Sequence, residues 1–336
     1  MRRLIAMCIV GVLAVTLIAC GSGDDDDATT SAPAATEAAA TAESGESGET
    51  YTIGVANFTL GAPYFIGISE TIKAEAEADG NEVNETDARG DAAALTANVD
   101  ELLLKDVDGI IISGGPLENA PAALNAIKQA GIPVVLVDRK FTGEYTSWVG
   151  PDNEAIGRQD GEYIAEHLNG EGKVAIIRGG PADNSIGLAR SNGVKSVLEQ
   201  HPGIEIVTAP DFGEWSSDGG LKVAESLLSK HPDIDVIFCE NDSMCLGAQK
   251  AVADAGKTDQ IILAGVDGQK EALAAIKEGG NYKVTGLNDA VDMGTAAYER
   301  LIEILEGGTP EKDTVVPSPQ ITQENVEEFY DPDSEF

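Results

Sequence analysis

Basic residues are scarce in this chain, and that scarcity is the first constraint on what it does. Its 336 residues carry 22 Lys and Arg against 58 Asp and Glu, a formal net charge of −36. A surface this acidic repels phosphate backbones, which argues against nucleic acid as a partner. Histidine is nearly absent: His167, His201 and His231 are the whole set, the last two in His-Pro pairs at expected helix ends. None has the spacing of a metal site or a catalytic triad. The chain also lacks a G-x-S-x-G elbow, a phosphate-binding loop around Gly172-Lys173, and a G-x-G-x-x-G after its first expected strand. A nucleotide enzyme is therefore disfavoured. No catalytic residue, metal or cofactor is expected.

A second absence marks off the amino-terminal region. Residues 21 to 50 contain no aromatic and no large aliphatic side chain, so they cannot bury enough apolar surface to offset the entropy of ordering. They read as an acidic tether. Ahead of them stand Arg2 and Arg3, an apolar run from Leu4 to Ala19, and the tetrapeptide LIAC ending at Cys20. The run is short for a membrane span and has the layout of a signal peptide. It resembles the bacterial lipoprotein signal, in which the cysteine of an L-x-A-C box becomes the lipidated first residue. The resemblance implies a signal over residues 1–19, lipidation at Cys20, and a linker to residue 50. Each buried methylene of such an anchor contributes about 0.8 kcal/mol, which would hold the protein on the outer side of a cell membrane.

From Tyr51 onward short apolar strands alternate with segments of 3.6-residue periodicity. Strands are expected at YTIGVANF, EVNETDA, DGIIIS and IPVVLVD, then at KVAIIRG, IEIVTA, DVIFCE and IILAGVD. Helices are expected over residues 63–79, 92–105, 119–130, 185–200, 218–230 and 242–255. Such alternation predicts an α/β protein with parallel sheets covered on both faces. The two halves look like copies: Ser113 and Asp138 stand 25 residues apart, Asn241 and Asp267 stand 26 apart, and each pair ends successive strands. Two doubly wound domains in tandem are the simplest explanation. In open α/β sheets ligands bind outside the carboxyl ends of the strands. That rule selects Phe58, Ser113, Asp138 and Arg139 from one half, and Arg178, Asn241 and Asp267 from the other.

Those side chains suit a neutral polyhydroxylated ligand. A carboxylate accepts from two neighbouring hydroxyls, Arg donates through a fixed fork, and Asn does both. Aromatic rings cover the C–H faces of a sugar.

Here a resemblance becomes specific. YTIGVANFTLGAPYF, VVLVDR, LARSNG, HPDIDVIFCENDSMCLGA and ILAGVDG are similar to the corresponding stretches of periplasmic sugar-binding proteins of the ribose-binding type, in order over about residues 51–316. The resemblance implies two Rossmann-like lobes joined by three crossovers, near Gly150–Asn153, Leu287–Asp289 and Pro317. One lobe would comprise residues 51–152 plus 289–316, the other 153–288 plus 317–332, with a helix over 289–305 returning to the first. It implies Tyr64 and Phe65 as aromatic walls, Ser113 as a polar strand-end residue, and Asp138 with Arg139 as an acid–base pair. Arg190, Asn241 and Asp267 take sugar-contacting positions, Trp215 a stacking one, and Asn288 a crossover one. The two acids would be held ionised by Arg139 and Arg190. Phe58 and Ala62 depart from the ribose-specific pattern, where polar side chains are usual. A pocket with fewer polar contacts and one more ring suits another pentose, a hexose, or a sugar alcohol or cyclitol.

The implied function is an extracytoplasmic, monomeric receptor that closes over its ligand and presents it to an ATP-driven permease. A sensor feeding a membrane kinase or chemoreceptor would carry the same core. Repressors that share the core precede it with a helix-turn-helix, whose place is taken here by the signal and tether. The stretch CENDSMC has the wrong spacing for a C-x-x-C redox motif and lacks partners for zinc. Its Asn241 is expected at the cleft and its Asp242 as the cap of the helix beginning at Ser243. Cys239 and Cys245 are left with two arrangements, a disulfide or two buried thiols.

Overall fold

The first half of the folded region runs through β1 (Thr52–Asn57), α1 (Pro63–Asp79), β2 (Glu82–Asp87), α2 (Ala92–Leu104), β3 (Gly109–Ser113), α3 (Pro121–Ala130), β4 (Val134–Val137) and β5 (Ser147–Pro151). It continues as α4 (Asn153–His167), β6 (Glu171–Arg178), α5 (Ile186–Leu198), β7 (Gly203–Phe212), α6 (Ser217–Lys230), β8 (Val236–Cys239), α7 (Asp242–Asp254), β9 (Ile262–Asp267), α8 (Lys270–Lys277) and β10 (Tyr282–Leu287). Helix α9 (Ala290–Leu305) and strands β11 (Asp313–Val316) and β12 (Gln320–Thr322) follow. The structure, a computed structural model, describes residues 49–181, 185–334 and 336. The expected signal, Cys20 and nearly all of the linker lie outside the described residues.

Two six-stranded sheets result, in the orders β11-β5-β4-β3-β1-β2 and β12-β10-β9-β8-β6-β7. Every pairing is parallel except β12, which runs antiparallel to β10. The near-continuous apolar runs follow from burial on both faces. Along β3, Ile111 faces one core cluster while Ile110 and Ile112 face another. Along β6, Ala175 and Ile177 face one side while Val174 and Ile176 face the other. The period of two lets each strand feed two helix layers.

The chain passes between the sheets three times: between β5 and α4, from β10 into α9, and from β11 to β12. Helix α9 contributes Met293, Ala297, Tyr298 and Leu301 to a core shared with β1, β3, β4 and β5. Strand β12 places Ile321 in the core beneath β9 and β10.

Three local expectations need correction. The helix expected from residue 119 starts at Pro121, after a 3-10 turn at Leu117–Asn119, because proline fits the first helical position and lacks only an N–H that needs no partner there. Strand β10 and helix α8 lie between the expected ILAGVD strand and the expected last helix. Helix α4 lies between β5 and β6, a stretch for which the apolar pattern gave no helix. Apolar periodicity does not announce α4, since Gly157 and Gly161 occupy its packed face. A Cβ at Gly157 would come within 2.1 Å of the Arg190 carbonyl oxygen, so α4 and α5 pack backbone against backbone. That contact fixes where α5 presents Arg190.

Candidate ligand-binding site

The tips of β4 and β9 carry Asp138 and Asp267, and both acids sit on backbone with positive φ, 67° and 128°. Such conformations cost L-residues energy and persist where the surroundings over-determine them, as they do at functional sites. The two acids are 5% and 8% exposed, and a continuous set of side chains joins them. The Tyr64 hydroxyl, at the start of α1, donates to Asn288 Oδ1 at 3.0 Å and lies 3.4 Å from Asp138 Oδ1. Asn288 Nδ2 donates to Asp267 Oδ1 at 3.3 Å. Arg190 Nη1 lies 3.0 Å from the same Asp267 oxygen. The strand tips of the two sheets therefore converge, as the strand-end rule requires.

Arg190 is held rigidly for this role. Its Nε donates to Asn153 Oδ1 at 2.7 Å, and its Nη1 donates to the Glu240 carbonyl at 2.6 Å. Glu240 in turn accepts from the Gly179 amide at 2.7 Å and from the Ser191 hydroxyl. Sequence reasoning missed Asn153 and Glu240 as supports. The available signal was slight: Glu240 is a charge directly after the apolar run VIFC, and Asn153 opens a helix whose periodicity is obscured by glycine.

Burial raises the Asp267 carboxyl from its ordinary value to about 7; Arg190 opposes the rise, and Asp242 and Asp138 add to it. This corrects the expectation that an arginine holds it firmly ionised. Desolvation outweighs the ion pair because the carboxylate is removed from water while facing two other acids. Burial, reinforced by Asp138 and Asp267, pushes the Tyr64 hydroxyl well above its usual range, so it remains a donor.

Ser113 lies at the tip of β3, fully buried, and its Oγ meets no hydrogen-bond partner among the described residues. Arg139 is buried beside Asp138. Aromatic rings close over the glycine turns that follow the strands. A Cβ at Gly115 would fall 2.3 Å from Phe58, one at Gly114 would fall 2.5 Å from Phe65, and one at Gly179 would fall 2.0 Å from Trp215. Gly114 and Gly115 of IISGGP and Gly179 of IRGGP thus admit rings to the strand tips. Tyr64 packs edge-on against Phe65 at 5.3 Å and against Phe336 at 5.4 Å. Nothing in the sequence pointed to Phe336, which lies far along the chain.

Two further assignments change. Arg178 turns toward the edge strand, donating to the Ala209 carbonyl at 3.0 Å and lying over the Phe212 ring. Helix α7 begins at Asp242 and is capped by Asn241, whose Oδ1 accepts the Met244 amide at 3.0 Å. The Asn241 amide group faces the Trp215 carbonyl at 3.4 Å. Asn241 takes the cap because its backbone is extended, whereas Asp242 is already helical and fully buried. Cys239 and Cys245 form a disulfide with Cα atoms 5.4 Å apart, which decides between the two arrangements. No cluster of residues able to hold a metal ion occurs among the described residues.

The sequence pattern of the periplasmic binding protein domain matches residues 53–309. The ribose import binding protein RbsB of Bacillus subtilis is 32% identical over 274 residues, covering 81% of this chain and 88% of that protein. The xylitol-binding protein of Mycolicibacterium smegmatis is 28% identical over 326 residues, covering 96% and 86%. A crystal structure of an ABC transporter solute-binding protein from Mycobacterium smegmatis with bound glycerol superposes with a TM-score of 0.81 at 28% identity, covering 85% of this chain and 99% of that one.

Proposed function

The chain belongs to the periplasmic sugar-binding proteins of ABC transporters, of the ribose-binding type, and from that premise we propose that it is a membrane-anchored receptor gripping one monosaccharide-sized ligand between two lobes. Proteins of this family bind their ligands without turning them over. The lobes are residues 51–152 with 289–316 and residues 153–288 with 317–332. They close by hinge motion at the three crossovers and hand the ligand to a membrane permease, with lipidated Cys20 as the tether.

The observation that carries this reading is the chain of contacts from Asp138 through Tyr64 and Asn288 to Asp267 and Arg190. It supports a dry pocket with acceptors and donors supplied from both sheets, in which hydrogen bonds to hydroxyls are strengthened by low dielectric. Ser113, Arg139 and Asn241 supply further polar contacts, and Phe58, Phe65 and Trp215 the apolar walls. A pentose or hexose is the first reading. A sugar alcohol or cyclitol is the second, favoured by Phe58 and Ala62, which bring no polar side-chain atom to the tip of β1, and by the xylitol-binding relative.

A thermal-shift screen of ribose, other pentoses, hexoses, xylitol and myo-inositol tests it. At a hundredfold excess over Kd a true ligand stabilises the protein by about 2.7 kcal/mol, and Asp267→Ala should abolish the shift. Absence of any shift across the panel, or an undiminished one in the variant, would sink the proposal. Mass spectrometry of the membrane fraction, looking for acyl chains on Cys20, decides the anchor separately.

A further inference from the structure

Asp242 is a heavily engaged acid outside the candidate pocket. It is fully buried, and burying a carboxylate is unfavourable unless donors surround it. Four donors do. Its Oδ2 accepts the backbone amides of Gly268 at 2.8 Å and Gln269 at 2.9 Å. Its Oδ1 accepts the hydroxyls of Tyr282 at 2.6 Å and Thr285 at 2.8 Å. Gly265 makes room for this arrangement, since a Cβ there would lie 2.4 Å from Asp242 Oδ1.

We propose that Asp242 is a positioning residue for ligand binding: its carboxylate fastens the two amides that follow Asp267 and so holds the Asp267 carboxylate at the pocket. The inference rests on the receptor reading above. Asp267 has φ 128°, a conformation its own side chain does not favour, so the neighbouring backbone must enforce it. On one side the Asn288 amide donates to the Asp267 carbonyl at 2.9 Å. On the other side the enforcing contacts are those from Gly268 and Gln269 to Asp242. The first sheet manages without such an acid. Gly114 follows Ser113 where Asp242 follows Asn241, and the Asp138 amide is held by the Val149 carbonyl of β5 at 2.9 Å.

Asp242 also acts through charge. Asp160 of α4 and Tyr282 of β10 face it, while Asp267 feels Asp242 together with Arg190 of α5 and Asp138 of β4. Removing the Asp242 charge should therefore lower the titration midpoint of Asp267.

The test compares Asp242→Asn with Thr285→Val, which removes a hydroxyl shared between the two carboxylate oxygens, 2.8 Å from Oδ1 and 3.0 Å from Oδ2, and leaves the carboxylate and both amide donors in place. In ligand-free protein, amide exchange at Gly268 and Gln269 should quicken about tenfold or more in Asp242→Asn. The carboxyl 13C titration of Asp267 should move to lower pH. Affinity for whichever probe the wild type binds, ribose or xylitol, should fall about tenfold. Thr285→Val should leave all three readouts close to wild type. Should Asp242→Asn not fold, Gly265→Ala, whose methyl group would press on the Tyr282 hydroxyl and Asp242 Oδ1, displaces the carboxylate with its charge kept and is read by amide exchange and affinity. Slow exchange at Gly268 and Gln269 with an unmoved Asp267 titration would overturn the proposal, as would equal losses in Thr285→Val. If the wild type binds neither probe, the receptor reading is what suffers; exchange and titration still decide the role of Asp242.

Discussion

If Asp267 binds the ligand as proposed, affinity should climb with pH through neutrality, because burial raises its carboxyl to about 7. Burial places the Asp267 carboxyl at about 7, whereas in the unfolded chain it releases its proton near 3.9. The folded protein therefore retains a proton that the unfolded chain gives up between those values. The contribution of Asp267 to stability falls as pH rises from about 4 to 7, by up to about 4 kcal/mol. A ligand reverses that tendency. Its hydroxyls donate to the ionised carboxylate and favour that form, so binding expels the proton. With a midpoint of about 7, the group is about one-tenth ionised at pH 6 and about nine-tenths at pH 8. A ligand that requires the carboxylate should then gain about tenfold in affinity across this interval, roughly 1.4 kcal/mol. Titration calorimetry at pH 6, 7 and 8, repeated in buffers of different ionisation enthalpy, reads both the affinity and the released proton. Asp267→Asn should bind more weakly and lose the pH dependence. A wild-type affinity that is flat from pH 6 to 8, or proton uptake on binding, would refute the reasoning.

Other consequences are simpler to check. The Cys239–Cys245 bridge closes a short ring with a sequence separation of 6, and replacing both cysteines by alanine should cost about 2 kcal/mol through loop closure; an unmoved urea midpoint would show that the bridge adds nothing. Tyr64→Phe removes the hydroxyl bonded to Asn288 at 3.0 Å and should lower stability by about 1 kcal/mol, measurable by thermal unfolding of the ligand-free protein. Gly179→Ala puts a methyl group where Trp215 lies, 2.0 Å from its ring. The ring must move, so tryptophan emission should shift to the red and ligand affinity should fall; an unchanged spectrum would place Trp215 elsewhere.

Much of the candidate site's placement was legible because strand ends are legible. Asp138 and Asp267 close apolar runs whose burial on both faces demands parallel strands, and the end of a parallel strand is where an open sheet presents its ligands. The matching intervals from Ser113 to Asp138 and from Asn241 to Asp267 made the second sheet readable from the first. Arg178 failed the same rule, since a strand-end side chain can turn along the sheet edge and find a carbonyl there. Asp242 was misread as a cap because cap and plug share one local pattern, and only the approach of β9 and β10 tells them apart.

The sequence by itself determined the alternation of strands and helices, the doubling of the sheet, and which side chains end up at strand tips, because these depend on periodicity and chain order. Only the tertiary structure decided that Tyr64 and Asn288 bridge the two acids, that Phe336 backs Tyr64, that Glu240 and Asn153 hold Arg190, and that Asp267 titrates near neutrality. Those outcomes depend on distances between residues remote in the chain and on how much water is excluded around a charge. Local pattern records neither.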